Sequence, residues 1–376
     1  MKIAIDARMY GTEHGGIGRY IANLVRELQV VDRKNKYVLL LRKKYFDLLK
    51  NPNEKWEKIL TDARHYSFKE QMEVSKALNN INPDLVHFPH FNIPVFYKGK
   101  YIVTIHDLLM HKRTGAGATT LPPVTYFVKR FGYKFVFGNA IGRAVKIIVP
   151  TDFVKQEVEK VYPDTSDKLE VIYEGVDGGL FKGVTGGGYL RRNKIKKPYF
   201  LYVGSVYPHK NVERAVEAAA FSQKTLVIVT PRSIFQKRLD SFVKKHDAKN
   251  FIKFTGYVDD RDLVTLYKNA AAFVYPSLEE GFGLPGLEAM ANKCLVLASD
   301  IPVFKEVYKD NAIYFNPLDF SSIAKAIQEA LEIKSGRREK LVNKAFEFSK
   351  KYNWKKTANE TLRLYSSVYT DMSIAP

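Results

Sequence analysis

Two carboxylates eight positions apart, Glu280 and Glu288, stand in the run Pro276-Ser277-Leu278-Glu279-Glu280-Gly281-Phe282-Gly283-Leu284-Pro285-Gly286-Leu287-Glu288-Ala289-Met290. An apolar segment ends at Tyr275 before it, and a helical pattern starts near Pro285. Glu280 is therefore predicted on a loop and Glu288 about one turn into a helix. Placed so, both can face one cleft and accept hydrogen bonds from vicinal hydroxyls. Gly281 and Gly283 let backbone N–H groups approach an anion or a sugar closely. The plainer alternative is a helix-cap acid beside a surface acid, and the flanking glycines and prolines speak against it.

Three other runs have chemistry to offer. In Val203-Gly204-Ser205-Val206-Tyr207-Pro208-His209-Lys210-Asn211, Gly204 permits a close turn and Pro208 stiffens it. Lys210 can then hold a cation against a diphosphate near a helix N-terminus, although a solvent-facing lysine stays open. Gly11-Thr12-Glu13-His14-Gly15-Gly16-Ile17-Gly18-Arg19-Tyr20 follows the first apolar segment, with a helical pattern from Ile21. Such a loop can cradle a phosphate or form a tight turn. It is not the dinucleotide fingerprint, because Ile21 stands where the third glycine is needed. Thr104-Ile105-His106-Asp107-Leu108 closes another apolar segment, which puts His106 where open α/β sheets place ligand contacts or, equally, a structural histidine.

The elements that must position these residues are short apolar segments alternating with helical stretches. Strands are predicted over 2–6, 37–41, 85–88, 101–105, 146–150 and 169–173, then over 199–203, 225–229, 251–254, 271–275, 294–298 and 312–315. Most are continuously apolar, as strands buried on both faces of a parallel sheet are, and the stretches between them are long enough for crossover helices. The fold class is α/β, with two doubly wound Rossmann-like domains. Residues 1–177 are expected to form the N-terminal one of these domains and 198–351 the C-terminal one. Between them, 178–197 reads as a glycine-rich basic linker. A last helix within 352–376 caps the second domain or crosses back to the first.

A chain of 376 residues exceeds one hydrophobic core, in keeping with two domains. Asp6 interrupts the first apolar run, which therefore does not read as a signal peptide. Cys294 is the single cysteine, so an internal disulfide and a thiolate metal cluster are excluded. The cytoplasm fits best. The net charge of +20 is spread over both halves, as a lysine-rich surface or a protein meeting phosphorylated substrates or an anionic membrane would have it. No nucleic-acid recognition motif accompanies it.

These four runs, in this order and over nearly the whole chain, resemble the retaining glycosyltransferases of family 4, which have the GT-B fold with two domains facing a central cleft. The Glu280…Glu288 element is the most specific part. Gly-Ile-Gly-Arg-Tyr and His-Asp-Leu resemble the mannosyl- and rhamnosyltransferase-like members. The resemblance implies three catalytic residues. Glu280 would contact hydroxyls of the donor sugar, Lys210 would neutralise the departing diphosphate, and His106 would touch the transferred sugar. Glu288 would bind the ribose, and the backbone of Phe282, Gly283 and Leu284 the sugar and diphosphate. Gly204, Ser205 and His209 belong to the same donor site, and Gly16 and Gly18 would lie beneath the diphosphate. No cofactor and no obligatory metal are implied. The donor would be a nucleotide diphosphate sugar, GDP-mannose first and a UDP- or dTDP-sugar next. The acceptor would be a glycan or lipid-linked molecule in cell-surface polysaccharide or glycoconjugate synthesis.

The chain departs from the family pattern at two places. His209 stands where arginine is frequent, which makes one phosphate-binding charge conditional on pH. Asn292-Lys293-Cys294-Leu295-Val296 replaces the frequent Cys-Gly-x-Pro-Val, and Cys294 reads as a small buried hydrophobe. Competing readings are a GT-B-shaped epimerase or phosphorylase and a non-enzymatic polyanion binder.

The 122–143 stretch carries two aromatic stripes on a predicted helix. Val124, Phe127, Val128, Phe131 and Phe135 share one face, suited to packing on the N-terminal domain. Tyr126, Tyr133 and Phe137 gather on another, flanked by Lys129 and Arg130. That second face is expected either to dock an acceptor or an anionic membrane surface, or to lie between neighbours with its cations snorkelling out.

Overall fold

The computed structural model describes residues 1–112, 122–176 and 188–374. The chain divides into two compact units, Met1–Gly175 with Trp354–Pro376 and Val176–Asn353. The 178–187 part of the expected linker lies outside the described residues, and Tyr189–Arg192 within its remainder is a short helix.

The first unit is built on a seven-stranded parallel sheet. Its strands are β1 (Lys2–Asp6), β2 (Lys36–Leu41), β3 (Trp56–Leu60), β4 (Leu85–Phe88), β5 (Tyr101–Thr104), β6 (Lys146–Val149) and β7 (Leu169–Val171), in the spatial order β3-β2-β1-β4-β5-β6-β7. The second holds β8 (Tyr199–Val203), β9 (Thr225–Val229), β10 (Ile252–Phe254), β11 (Ala272–Tyr275), β12 (Val296–Ser299) and β13 (Ile313–Phe315), ordered β10-β9-β8-β11-β12-β13. Every strand pairing is parallel. Both orders reverse direction once, at β1/β4 and at β8/β11. These are the topological switch points where the carboxyl ends of neighbouring strands diverge and leave room for a ligand.

Strand β3 has no counterpart in the sequence-based expectation. It is an edge strand whose centre is the charged pair Glu57-Lys58, and only Trp56 is buried, stacked on Tyr37 at 4.2 Å between ring centroids. The first helix also differs. It runs Gly15–Val31, so the glycine run forms its first turn instead of preceding it. The last helix, Trp354–Ile374, belongs to the first unit. Trp354 packs edge-on against Tyr20, and the Tyr365 hydroxyl meets His87 Nδ1 at 2.6 Å. Among the described residues no helix is long and apolar enough to cross a membrane.

The Pro123–Arg143 helix forms where expected but rolled by half a turn. Phe137 is fully buried in the first unit's core, and Tyr133 packs against that core with its hydroxyl 2.5 Å from His111 Nδ1. Arg130 donates to the carbonyls of Met110 and His111 at 3.3 and 3.2 Å. Tyr133 and Arg130 are thus engaged with the body of the unit, Tyr126 is half-buried, and of the expected docking residues only Lys129 is exposed. Val124, Phe127, Val128, Phe131 and Phe135 face outward instead. The reason lies at the helix C-terminal end: Tyr133, Phe137, Ala140, Ile141 and Ala144 continue one apolar face at helical spacing. On the other face that spacing runs into Gly138 and Gly142.

Candidate active site

In the second unit, the loops after β8 and β11 leave the switch point together. Gly204, at φ 148°, turns the chain out of β8 toward Ser205, whose carbonyl accepts from the Tyr202 hydroxyl at 2.5 Å. Pro208–Lys210 forms one 3₁₀ turn, and Asn211 (φ 53°) starts the Val212–Phe221 helix. The Asn211 side chain donates to the carbonyls of Pro276 and Pro317 at 3.0 and 2.7 Å, and Leu278 N–H donates to the His209 carbonyl at 2.8 Å. These bonds lock the two loops to each other.

That locking brings two of the sequence-predicted residues into direct contact. Lys210 Nζ donates to Glu280 Oε1 at 2.6 Å, and Ser277 Oγ donates to the same oxygen at 2.8 Å. Burial pushes the Glu280 carboxyl up, but the charge and hydrogen bond of Lys210, with His209 and Ser277 adding, outweigh it and hold the carboxyl below its ordinary range. The group is therefore an ionised acceptor at neutral pH.

The remaining donor residues follow along the chain. Gly283 caps the Leu284–Ala291 helix at φ 104°, and its carbonyl accepts from the Tyr308 hydroxyl at 2.5 Å. A Cβ at Gly283 would lie 2.4 Å from that hydroxyl oxygen and 2.8 Å from Phe304, so both backbone conformation and space require glycine. Phe282 is buried, and Glu288, also buried, accepts from the Tyr267 hydroxyl at 3.3 Å. Burial raises the Tyr308 hydroxyl, and the Glu280 charge and, more weakly, the Glu288 charge act in the same direction. Cys294 is buried and pushed up to about 12 by that burial.

In the first unit, the corresponding edge carries Gly16, Gly18 and His106. A Cβ at Gly18 would sit 1.8 Å from the Gly11 carbonyl oxygen, whereas one at Gly16 would meet nothing within 4 Å. Gly18 therefore lets the loop fold on the helix, and Gly16 leaves the first turn open on its outer side.

His106 follows the end of β5, with its ring edge-on to Tyr20 at 4.8 Å. Its Nδ1 meets Glu174 Oε1 at 3.0 Å and its Nε2 meets the Pro89 carbonyl at 3.0 Å. A carbonyl can only accept, so Nε2 carries a proton; Nδ1 facing a carboxylate carries the other. Burial opposes the imidazolium, but the hydrogen bond and charge of Glu174, together with Pro89 and Asp107, raise the His106 pKa above its ordinary value. A raised folded value stabilises the fold fully below the unfolded histidine pKa of about 6.5 and loses that contribution as pH rises through the folded value. Glu174→Gln is expected to narrow this. The melting temperature of wild type should exceed that of the variant most at about pH 6, and the gap should shrink as pH rises past the raised value. Thermal melts across that range measure it, and a gap independent of pH would remove Glu174 as the charge partner.

Glu174 stands 68 positions from His106 and carries no motif of its own, so sequence reasoning misses it. The same holds for His87, fully buried, brought down to about 3 by burial and bonded through Nε2 to Thr104 Oγ1 at 2.8 Å.

Two family models match the chain. "Glycosyltransferase Family 4" covers residues 14–178 and "Glycosyl transferases group 1" covers residues 191–348. The O-antigen chain mannosyltransferase RfbU of Salmonella typhimurium is 32% identical over 66% of this chain and 65% of its own length. The O-antigen chain mannosyltransferase B of Escherichia coli is 24% identical over 93% of this chain and 95% of its own. Among solved structures, Anabaena Alr3699/HepE in complex with UDP-glucose superposes with a TM-score of 0.74 at 15% identity, covering 98% of this chain and 100% of that one. That likeness supports the fold, a GT-B pair of parallel α/β units.

Proposed function

Because this chain belongs to the group 1 glycosyltransferases, family 4, we propose that it moves a hexose from a nucleotide diphosphate sugar to a glycan or lipid-linked acceptor with retention at the anomeric carbon. GDP-mannose is the first donor, on the support of two relatives named as mannosyltransferases. A UDP- or dTDP-sugar is second, the former with the support of a structural neighbour holding UDP-glucose. The work is cytoplasmic and serves cell-surface polysaccharide or glycoconjugate synthesis, with a lipid-linked acceptor met at the inner face of the membrane.

The observation that carries this reading is the Lys210–Glu280 pair, seated where β8 and β11 diverge and fixed by the bond between Leu278 and His209. A diphosphate arriving there competes with Glu280 for the ammonium. As Lys210 turns to the phosphate, Glu280 is released to accept from sugar hydroxyls. Binding thus switches on both groups. When the bond from the anomeric carbon to the diphosphate oxygen breaks, its electron pair stays on the diphosphate. The Lys210 charge and the amides of Phe282, Gly283 and Leu284 stabilise it, in the part that a metal ion would otherwise take. Glu288, oriented by Tyr267, is assigned to the ribose. Gly16 and Gly18 are assigned to the diphosphate, and His106 to the transferred sugar.

The test is a panel of GDP-, UDP- and dTDP-sugars in excess EDTA. One of them, GDP-mannose first, should raise the melting temperature, since a ligand that binds only the folded chain stabilises it by about 2.7 kcal/mol at a hundredfold excess over Kd. Transfer should continue in chelator. No shift with any donor would sink the donor site, and loss of activity restored by Mg²⁺ would sink the leaving-group account.

A further inference from the structure

In the first unit, the loop after β4 and the turn before the Phe68–Ile81 helix border a cleft that none of the assigned donor contacts uses. It holds about 220 Å³ of space, its open mouth included, between Arg8, His65, Pro89, His90 and Asn92. His106 Nε2 donates to the Pro89 carbonyl at 3.0 Å, so the cleft adjoins the histidine assigned to the transferred sugar.

Two histidines of the cleft have hydrogen-bonding capacity to spare. His65 is nearly buried, yet its Nε2 has no partner, and its Nδ1 stands 3.5 Å from Glu70 Oε1, too far for a well-formed bond. Buried nitrogens left unmatched are costly, and the hydroxyls of a ligand would match them. Burial, with His106 and His65 adding, brings His90 down to about 3, so its ring is neutral. Its Nδ1 accepts from the Asn92 N–H at 3.3 Å, which leaves the proton on Nε2. Among the described residues that Nε2–H has no acceptor.

Tyr66 stands beside this pair in a strained position. Its backbone is left-handed, at φ 62°, which is unfavourable for a bulky residue. Its N–H donates to Glu70 Oε2 at 2.5 Å and so holds the turn. The ring is 64% exposed, with its centroid 6.4 Å from those of His90 and Phe91. Glycine would adopt this backbone without strain, so the exposed ring, more than the turn, accounts for a tyrosine here.

We propose that this cleft is an acceptor subsite for an uncharged sugar, whose C–H face lies on Tyr66 and whose hydroxyls meet His65 and His90. An aromatic face beside a few fixed polar groups suits a ring that is apolar on its faces and polar at its edge. The wall selects against an anion. There the Arg8 guanidinium is held between the carboxylates of Asp6 and Glu70, two negative charges to one positive. A phosphate or a carboxylate brought to that wall meets like charge. The inference rests on the transfer reading and narrows its acceptor group to a neutral sugar of the glycan, away from any lipid phosphate.

Saturation-transfer NMR titrations on the full chain test it. The probes are the methyl glycosides of mannose, galactose, rhamnose and N-acetylglucosamine, with mannose 6-phosphate and glucuronate as anions. At least one neutral glycoside should bind, about tenfold or more tightly than either anion. Tyr66→Ala should weaken that binding by about five- to tenfold, and Tyr66→Phe should keep it. Tyr66→Gly should bind as weakly as Tyr66→Ala but melt at a higher temperature, because glycine relieves the turn. All three variants should keep the wild-type rise in melting temperature with nucleotide sugar. No signal from any neutral glycoside, tighter binding of an anion than of all four, or binding untouched by Tyr66→Ala would overturn the proposal and leave the donor reading intact. Tyr66-dependent binding of a neutral glycoside, with no stabilisation by any nucleotide sugar, would keep a sugar-binding cleft and remove the transfer reading behind its acceptor role.

Discussion

Glu280→Ala is expected to lower turnover by roughly 100- to 1,000-fold, the size of effect that follows loss of one preorganised polar group at a reacting centre. Nucleoside diphosphate should bind as well as before or more tightly. The two halves of this expectation have one cause. In the resting site Glu280 occupies Lys210 at 2.6 Å, so removing the carboxylate frees the ammonium for a diphosphate while depriving the sugar of its acceptor. Glu288→Ala should show the opposite split, with weaker nucleotide binding and a smaller change in turnover at saturating donor. Steady-state kinetics and calorimetric titration with the nucleoside diphosphate separate the two. Glu280 is also nearly buried, and breaking a buried pair can cost about 3–5 kcal/mol, so Glu280→Gln, which keeps the side chain's size, controls for folding. Folded Glu280→Ala that turns over within tenfold of wild type would end the assignment.

The parallel sheets are legible because strands buried on both faces read as continuous apolar runs, and all twelve predicted strands appear with ends shifted by at most two residues. Strand β3 is hidden because an edge strand needs only one buried side, and Trp56-Glu57-Lys58-Ile59-Leu60 advertises neither burial nor clean alternation. The outward roll of the Pro123–Arg143 helix is written in Ala140, Ile141 and Ala144. A reading that weighs only the aromatic residues overlooks it, since small residues set the phase as firmly as large ones. The site residues themselves stand out by type and by their place after strands. Their partnerships do not: Lys210 and Glu280 are 70 positions apart and His106 and Glu174 are 68. Such pairs are specified by strand order, β8 beside β11 for the first and β5 one strand away from β7 for the second, and strand order is not a local property of any segment.

The same limit hides a buried ion network around Arg8, and Arg8→Met is expected to destabilise the first unit by about 3–5 kcal/mol. Arg8 follows β1 with its guanidinium buried, donating from Nε and Nη2 to both oxygens of Asp6 at 2.7 and 2.6 Å and from Nη1 to Glu70. Asn92, just past β4, donates to the same Glu70 oxygen at 2.8 Å. The network therefore fastens the carboxyl ends of β1 and β4, the switch point of the first sheet, to the Phe68–Ile81 helix. Met fills the volume of the arginine stem but leaves Asp6 and Glu70 buried without their cation, and that stranded charge dominates the cost. Adding Asp6→Leu and Glu70→Met to Arg8→Met removes the stranded carboxylates and should recover most of the loss, since an apolar set of similar volume needs no desolvation of charge. Urea unfolding of the three proteins at neutral pH decides the matter. Arg8→Met within about 1 kcal/mol of wild type would show that water or a moved side chain solvates the site, while a triple variant no more stable than Arg8→Met would show that the ion network itself, rather than relief of stranded charge, holds the two strand ends together.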